Sequence, residues 1–414
     1  MTAATPPRAT PAIGIAGSAW LIGTLLALQP LCTDLYLPTL PSMAREFGGG
    51  GGSGGVGTVQ WTLSVFIGTF GLVQLIAGPL SDRFGRRPLI VGGAALYTAG
   101  SLVCLLAPAI ATMIAGRALQ AAGACTCVVA ARAVVRDLYE PQHGARTLAA
   151  AGTIMGFAPM LGPLAGAALN VTVGWRAVFA FLTVVGTVVV AFTAWRLAET
   201  NRHRDPAALQ GARLAGTYAE VGRSATFRAY ALANTASYAG LFAFLSASSF
   251  VLIRVMGLSP FAYAGGLALN GASYMMGTII CRRLMAETDL VDTLRAGALM
   301  QVLAGAAMVV VVTLAGATHL GPLAILLSQC LYSAGHGIVQ PVAQAGCVGP
   351  FPRAAGAAAA LMGFMIQVSA AAVGMVVGAT WNGTPYPMAM LVAAGGAASW
   401  TIGATLVRRR GRIR

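Results

Sequence analysis

The chain has 414 residues, of which 57% are hydrophobic and only 9% are charged, and its mean hydropathy is +0.76. A soluble domain carries about 25% charged residues, so this composition excludes an ordinary soluble fold. The net charge of +15 is interpreted as membrane topology rather than nucleic-acid binding, because arginine accumulates in the cytoplasmic loops of membrane proteins.

Uncharged stretches long enough to cross a membrane recur along the whole sequence. A spanning helix needs about 20 predominantly apolar residues, and counting two helices in each of the two longest stretches predicts twelve spans. The uncharged stretches that hold them are 9–33, 47–81, 88–116, 147–175, 177–195, 229–253, 255–281, 296–352 and 354–407. The shorter stretch 118–131 joins its upstream neighbours through Arg117 to give a further span near 109–131. We therefore expect an all-α integral membrane protein with both termini on one side.

The arginines indicate which side that is. All 26 basic residues are arginine. If both termini are cytoplasmic, only Arg45, Arg176 and Arg254 lie outside, and Arg117 lies within the membrane. This strong positive-inside bias predicts cytoplasmic termini.

The longest hydrophilic stretch divides the predicted spans into two sets of six. The glycine-rich run 48–55 is expected to be a flexible external linker, and the N-terminus is expected to be a tail rather than a signal peptide. The predicted segments are a cytoplasmic tail (1–12), a six-helix bundle (13–198), a cytoplasmic linker (199–228), a second six-helix bundle (229–407) and a basic cytoplasmic tail (408–414).

The first helix is expected to continue beyond residue 33 and to end near Ser42, so Asp34 is the only one of eleven acidic residues that falls within a predicted span. Insertion scales put the cost of an intramembrane carboxylate at roughly 2.5–3.5 kcal/mol, so Asp34 is a functional candidate. Pro30 and Pro38 can loosen the helix around it and free backbone groups for a cavity. Arg117 is predicted at the same depth, about 12 Å from the external surface at 1.5 Å per residue. An Asp34–Arg117 pair or a water-linked network is therefore expected, with either a coupling or a purely structural role.

A short charged turn follows the second predicted helix, in the segment 78–88, GPLSDRFGRRP. Asp82 can accept hydrogen bonds at a neighbouring helix N-terminus, where the dipole favours an anion. The arginines can pair with carboxylates or anchor the topology at the lipid headgroups. The residues that define this pattern, here called the gating loop, are Gly78, Leu80, Asp82, Arg83, Gly85, Arg86 and Arg87.

The gating loop resembles the signature loop between the second and third helices of major facilitator superfamily transporters. The resemblance implies two six-helix bundles, with Asp82 and its arginines locking the halves together when the transporter faces outward. The run Arg117–Gly123, RALQAAG, is similar to the fourth-helix motif of that superfamily. There the arginine tunes proton release from the first-helix acid, which implies proton coupling by Asp34 and Arg117.

A set of glycines and prolines in the fifth predicted helix resembles the motif of drug:proton antiporters. Its residues are Gly152, Gly156, Pro159, Gly162, Pro163 and Gly166. Glycines at a spacing of four give a smooth face for close helix contact, and a generic packing face is the alternative interpretation. The motif usually ends in a glycine pair, whereas Ala167 follows Gly166 here.

Several segments together resemble the bicyclomycin/chloramphenicol-resistance (Bcr/CflA) group of twelve-span drug:proton antiporters. The most specific is 131–139, ARAVVRDLY, and the others include 33–38, 197–200, 244–250 and 355–364. Ala198 departs from the proline that commonly precedes Glu-Thr. The resemblance implies a monomer in the bacterial inner membrane that handles protons and small molecules, with the proton as coupling ion and without a cofactor, metal or nucleic acid.

Polar and aromatic residues within the predicted helices are candidates for a substrate cavity. Aromatics, methionine and scattered amides suit adaptable binding of semi-polar molecules, although helix packing is an alternative for each. The candidates are Tyr36, Gln120, Tyr238, Phe242, Asn270, Tyr274, Met275, His336, Gln340 and Gln367.

The expected function is proton-coupled efflux of small amphipathic compounds such as chloramphenicol- or bicyclomycin-like antibiotics. Proton-coupled export of a metabolite, such as an amino acid or small peptide, and uncoupled facilitation remain alternatives. An intramembrane enzyme is not expected, because the sequence has neither paired intramembrane aspartates nor a His-Glu-x-x-His metal motif.

Overall fold

The computed structural model describes residues 15–48, 53–201, 204–315 and 321–410, and this part of the chain is helical without strands. The helices are α1 (Ile15–Asp34), α2 (Leu40–Phe47), α3 (Ser53–Phe84), α4 (Arg86–Leu105), α5 (Ile110–Leu138), α6 (Pro141–Thr172), α7 (Arg176–Arg196), α8 (Gly211–Arg223), α9 (Ala225–Ser248), α10 (Pro260–Glu287), α11 (Leu290–Ala315), α12 (Gly321–Val348), α13 (Ala355–Ala379), α14 (Tyr386–Ile402) and α15 (Arg408–Arg410). A 3₁₀ turn precedes α2, and π-helical segments extend α9 over Ser249–Val255 and α14 over Gly403–Val407.

Eleven stretches of the described helices are long and apolar enough to cross a membrane, and α1 and α2 together form one of them, Ala19–Phe47. The predicted span 255–281 corresponds to α10, a 28-residue helix that is not among the eleven. It packs against α6 and α12, and its polar residue Asn270 is buried. The all-α membrane class is thus confirmed, while the cytoplasmic placement of the termini stays a prediction.

Several helix boundaries differ from the prediction. The gating loop contains a single non-helical residue, Gly85, because α3 continues to Phe84 and α4 begins at Arg86. Within the uncharged stretch 88–116, α4 stops at Leu105, shortly before Pro108. Proline disfavours helical geometry in the preceding residue, a signal that an uninterrupted apolar stretch conceals.

The predicted linker 199–228 also differs in detail, because it includes α8 and the first residues of α9. The predicted tail 1–12, the centre of the glycine run (49–52) and the end of the basic tail (411–414) lie outside the described residues.

Helices α3 and α13 pack against each other along their length, and α6 packs against α10. Small residues permit the first contact: a Cβ added at Gly71 would lie 2.8 Å from the Gln367 Cβ. Toward the other end of α3, Gln60 and Ser246 exchange two hydrogen bonds, and the Ser246 hydroxyl donates to the Gln60 side-chain oxygen over 2.7 Å. These contacts join the part of the chain before α8 to the part after it.

All seven cysteines are buried and free, and buried free cysteine behaves as a small hydrophobic residue.

Candidate functional site: the cavity between the helix sets

A cavity of about 320 Å³ lies between α1, α3 and α6 on one side and α9, α10 and α12 on the other. Asp34 lines it together with Thr33 and Gln29 of α1. Seven of the ten residues predicted for the cavity line it, namely Tyr238, Phe242, Asn270, Tyr274, Met275, His336 and Gln340. The structure therefore brings Asp34, the carboxylate predicted to lie within the membrane, and most of the predicted binding residues into one space.

Asp34 is the last residue of α1. Pro38 lies four residues further on and has no amide hydrogen to donate to the Asp34 carbonyl, so the α-helix cannot continue. The chain makes a 3₁₀ turn instead before α2 begins. The Thr33 hydroxyl donates to the Asp34 carboxylate over 3.3 Å. The helix break is where the flanking prolines predicted it, and it ends α1 at the cavity wall.

The glycines of α6 fall into two groups. A Cβ at Gly162 would lie 3.1 Å from the Asp34 Cβ, and one at Gly166 would lie 2.1 Å from the Leu35 carbonyl oxygen. A Cβ at Gly152 or Gly156 would meet open space. The close contact predicted for the whole motif is therefore confined to its second part. Pro159 and Pro163 line the cavity beside Gly156.

Arg117 is fully buried, but no ion pair within 4.0 Å joins it to Asp34. Its Nη1 donates to the Cys32 carbonyl over 3.2 Å and to the Gln120 side chain over 2.6 Å. A helix C-terminus favours a cation, so the end of α1 stabilises the guanidinium without a direct contact to the carboxylate.

Two aromatic rings complete the site of Arg117. Its guanidinium carbon lies 4.6 Å from the ring centre of Tyr36 and 4.2 Å from that of Phe66, distances suited to cation–π attraction. Nε and Nη2 have no hydrogen-bond partner among the described residues. Arg117 therefore reaches the end of α1 while two of its nitrogens remain unpaired.

Three predicted cavity residues do not line this cavity. Tyr36 and Gln120 are fully buried around Arg117, where the Tyr36 hydroxyl contacts Thr62 and the Gln120 amide donates to Ser101. Gln367 lies against Gly71 between α3 and α13. Residue type alone could not distinguish a cavity wall from a buried network one helix away.

The gating loop forms a compact ion-pair network. Arg86 is almost fully buried, and its guanidinium contacts the carboxylates of Asp82 at 2.7 Å and Asp137 at 2.8 Å. Arg87 donates to the Ala194 carbonyl over 2.8 Å. Arg83 lies exposed over the Phe84 ring. These contacts all lie in the part of the chain before α8, so the lock between the halves stays a prediction.

Glu199 contacts the gating loop, a role that sequence reasoning did not assign to it. Asp82 was expected to accept hydrogen bonds at a helix N-terminus. Instead Glu199 does so, accepting from the amides of Arg86 over 2.9 Å and Arg87 over 3.3 Å at the start of α4. The signal was present in the sequence as an acid directly after the sixth predicted span.

A second cavity, of about 430 Å³, lies beside the gating loop among α3, α5, α8 and the start of α13. Gly78 opens onto it, because a Cβ there would have no neighbour within 4 Å. The Tyr218 hydroxyl of α8 donates to the Leu75 carbonyl of α3 over 2.7 Å. Burial raises the pKa of Tyr218, so the phenol remains a neutral donor at physiological pH. Helix α8 is therefore attached to the gating-loop end of α3.

A membrane protein with two packed helix sets and a polar cavity between them has the architecture of a secondary transporter. The Major Facilitator Superfamily model matches residues 22–375. The chain belongs to the major facilitator superfamily.

Relatives within this superfamily agree with the narrower resemblance. Multidrug resistance protein D of Escherichia coli is 29% identical over 82% of this chain and 82% of its own length. A bicyclomycin resistance protein homolog of Haemophilus influenzae is 24% identical over 89% of this chain and 90% of its own length. A chloramphenicol resistance protein of Pseudomonas aeruginosa is 29% identical over 64% of this chain and 62% of its own length. The resemblance to the Bcr/CflA group is thereby confirmed.

The fold also matches solved transporters. The crystal structure of the peptide transporter POT in complex with sulfate has a TM-score of 0.73 at 17% identity, covering 97% of both chains. At this identity the likeness concerns the fold alone, and it agrees with a multi-pass membrane protein.

Proposed function

We propose that this protein exports small amphipathic compounds, such as chloramphenicol- or bicyclomycin-like antibiotics, across the bacterial inner membrane in exchange for protons. The relatives named for resistance to these drugs support the substrate class. The observation that carries the proposal is that Asp34 lines the cavity between the two helix sets. A proton and a substrate would then compete for one space.

Asp34 carries the proton in this mechanism. Protonation from the outside neutralises the carboxylate and lowers the affinity of the cavity for the substrate. The protein can then change to the inward-facing state. Substrate entering from the cytoplasm favours loss of that proton. Arg117 would act through the end of α1, where it contacts the Cys32 carbonyl two residues from Asp34. It is a positioning residue in this account, because it does not line the cavity.

The driving force suits a neutral substrate. One proton entering releases about 2.3 kcal/mol per 100 mV of membrane potential and about 1.4 kcal/mol per pH unit. At about 150 mV the potential alone supplies roughly 3.5 kcal/mol, which sustains an accumulation of a few hundred-fold. Exchange of one proton for a dication would instead run against the potential, so we expect neutral compounds to be handled better.

Transport of radiolabelled chloramphenicol by purified protein in liposomes tests the proposal. An imposed pH gradient should drive chloramphenicol toward the more acidic compartment, and a protonophore should abolish the accumulation. Equilibration without accumulation would contradict antiport and favour an uncoupled facilitator. Accumulation of an amino acid or dipeptide, but not of chloramphenicol, would replace the drug with a metabolite.

A further inference from the structure

His336 occupies a built site in the cavity wall that the proton-exchange mechanism does not use. It lies on α12 and is only 2% exposed. Gly337, next to it, packs directly against the Tyr274 backbone, where an added Cβ would lie 2.3 Å from the Tyr274 carbonyl oxygen. The backbone of α12 therefore fixes the imidazole closely against α10.

Hydrogen bonds behind the ring determine its tautomer. The Gln301 amide nitrogen donates to the Ser237 hydroxyl oxygen over 2.6 Å, and the same oxygen lies 2.8 Å from Nδ1 of His336. With the Gln301 amide donating to it, the Ser237 hydroxyl has no acceptor other than Nδ1 of His336 among the described residues. The Ser237 hydroxyl hydrogen is therefore donated to Nδ1, and the neutral ring carries its hydrogen on Nε2.

The Nε2 edge is the part of the ring left to face the cavity. Tyr238 and Tyr274 pack beside the ring with centroids 5.7 Å and 5.9 Å away, and Nδ1 is turned toward Ser237. Nε2 has no hydrogen-bond partner among the described residues, and it is not one of their fully buried unpaired atoms. The Nε2 hydrogen is therefore available to an acceptor within the cavity.

Neighbouring polar groups of this wall are already engaged with each other. The Tyr274 hydroxyl donates to the Gln340 side-chain oxygen, and the Ser333 hydroxyl donates to the Asn270 side-chain oxygen. The hydroxyl hydrogens of Tyr274 and Ser333 are therefore donated within the wall, while the His336 hydrogen is free to be donated to a molecule in the cavity. Asp34 lines the same cavity from α1.

We propose that His336 is a specificity-determining hydrogen-bond donor that selects substrates with an uncharged oxygen acceptor, such as an amide carbonyl, through its Nε2 hydrogen. Ser237 and Gln301 act as positioning residues that hold the required tautomer. This inference rests on the proposed function, because it assigns a substrate class to the same cavity. His336 donates a hydrogen bond to the acceptor on the substrate, while Asp34 binds and releases the proton.

The tautomer is measured without any substrate. Solid-state nitrogen NMR of the parent chain labelled with ¹⁵N-histidine, in liposomes, should show His336 with its hydrogen on Nε2 only. The His336→Gln variant assigns the signal by its disappearance. Ser237→Ala should give a mixture of tautomers because Nδ1 loses its donor. A parent signal with the hydrogen on Nδ1, or a doubly protonated ring, would overturn the proposal.

Selectivity is measured by equilibrium binding of two probes to the purified protein. Chloramphenicol offers an amide carbonyl, whereas tetraphenylphosphonium offers no oxygen acceptor. His336→Phe should weaken chloramphenicol binding about five- to tenfold, the contribution of one hydrogen bond, and leave tetraphenylphosphonium binding within about twofold. His336→Gln, which retains an N–H donor, should recover part of the chloramphenicol affinity.

The outcomes separate the two proposals. Equal losses for both probes would show a structural role for His336, and unchanged chloramphenicol binding would show no role in selection. Either result overturns this inference while the exporter function stands. A parent that binds no chloramphenicol overturns both, and the tautomer measurement still reports whether Ser237 orients the ring.

Discussion

Gly85 combines two constraints in the single residue that separates α3 from α4. Its φ of +105° is rarely adopted by residues with side chains. A Cβ there would also lie 2.3 Å from a carboxylate oxygen of Glu199. Glycine is therefore required both for the turn and for the contact through which Glu199 accepts hydrogen bonds from the start of α4.

Comparison with Gly174 separates the two constraints. Gly174 has a φ of +104° but no neighbour within 4 Å of an added Cβ. We expect Gly174→Ala to cost about 1–2 kcal/mol through backbone strain alone. Gly85→Ala should cost about 1 kcal/mol more, because it also displaces the Glu199 carboxylate. Melting temperatures of both variants in the same detergent measure the difference, and equal melting temperatures would contradict a stabilising role for Glu199.

Sequence reasoning at this scale identified important residues better than their partners. Asp34 was found because it is the only acid in a predicted span, and the structure places it in the cavity. Of the two expected arrangements, the direct Asp34–Arg117 pair is not formed, and Arg117 contacts the Cys32 carbonyl, while a water-linked network stays a prediction. Counting residues along each helix predicts how deep a side chain lies in the membrane. Which side chain it contacts also depends on how each helix is rotated about its own axis.

At the scale of elements, the glycine motif of α6 has two parts with different surroundings. Gly162 and Gly166 allow α6 to approach the end of α1, and the preceding glycines leave open space. Glycine spacing predicted a smooth face but could not show where along it a neighbour would lie. The contact is made where α1 ends in Asp34, so it positions the carboxylate at the cavity.

This division predicts opposite results for two similar substitutions in α6. Gly166→Ala places a Cβ 2.1 Å from the Leu35 carbonyl oxygen, so α1 must shift, at a cost of about 1–3 kcal/mol. We expect a lower melting temperature and impaired drug-triggered proton release. Gly152→Ala meets no neighbour and should keep both properties, since alanine favours a helix by up to about 1 kcal/mol. Impairment by Gly152→Ala alone would contradict the assignment.

At the scale of the whole molecule, hydropathy and loop charge predicted the helical membrane class from sequence. Helix α10 is not among the eleven helices that are apolar enough to be identified as membrane spans. It lines the cavity and carries polar residues such as Asn270 and Tyr274. The pairing of α3 with α13 and of α6 with α10 could not be read from hydropathy. Those pairings depend on which small residues meet across the two helix sets, and they enclose the cavity.

In the proposed mechanism, Asp34 is the group that exchanges protons for substrate. The most direct measurement is chloramphenicol-triggered proton release in inverted membrane vesicles, comparing the parent chain with Asp34→Asn. The substitution keeps the size of the side chain but removes the ionisable group. We expect the parent to release protons on addition of chloramphenicol and Asp34→Asn to release none. Proton release of equal size from the variant would contradict the central role of Asp34.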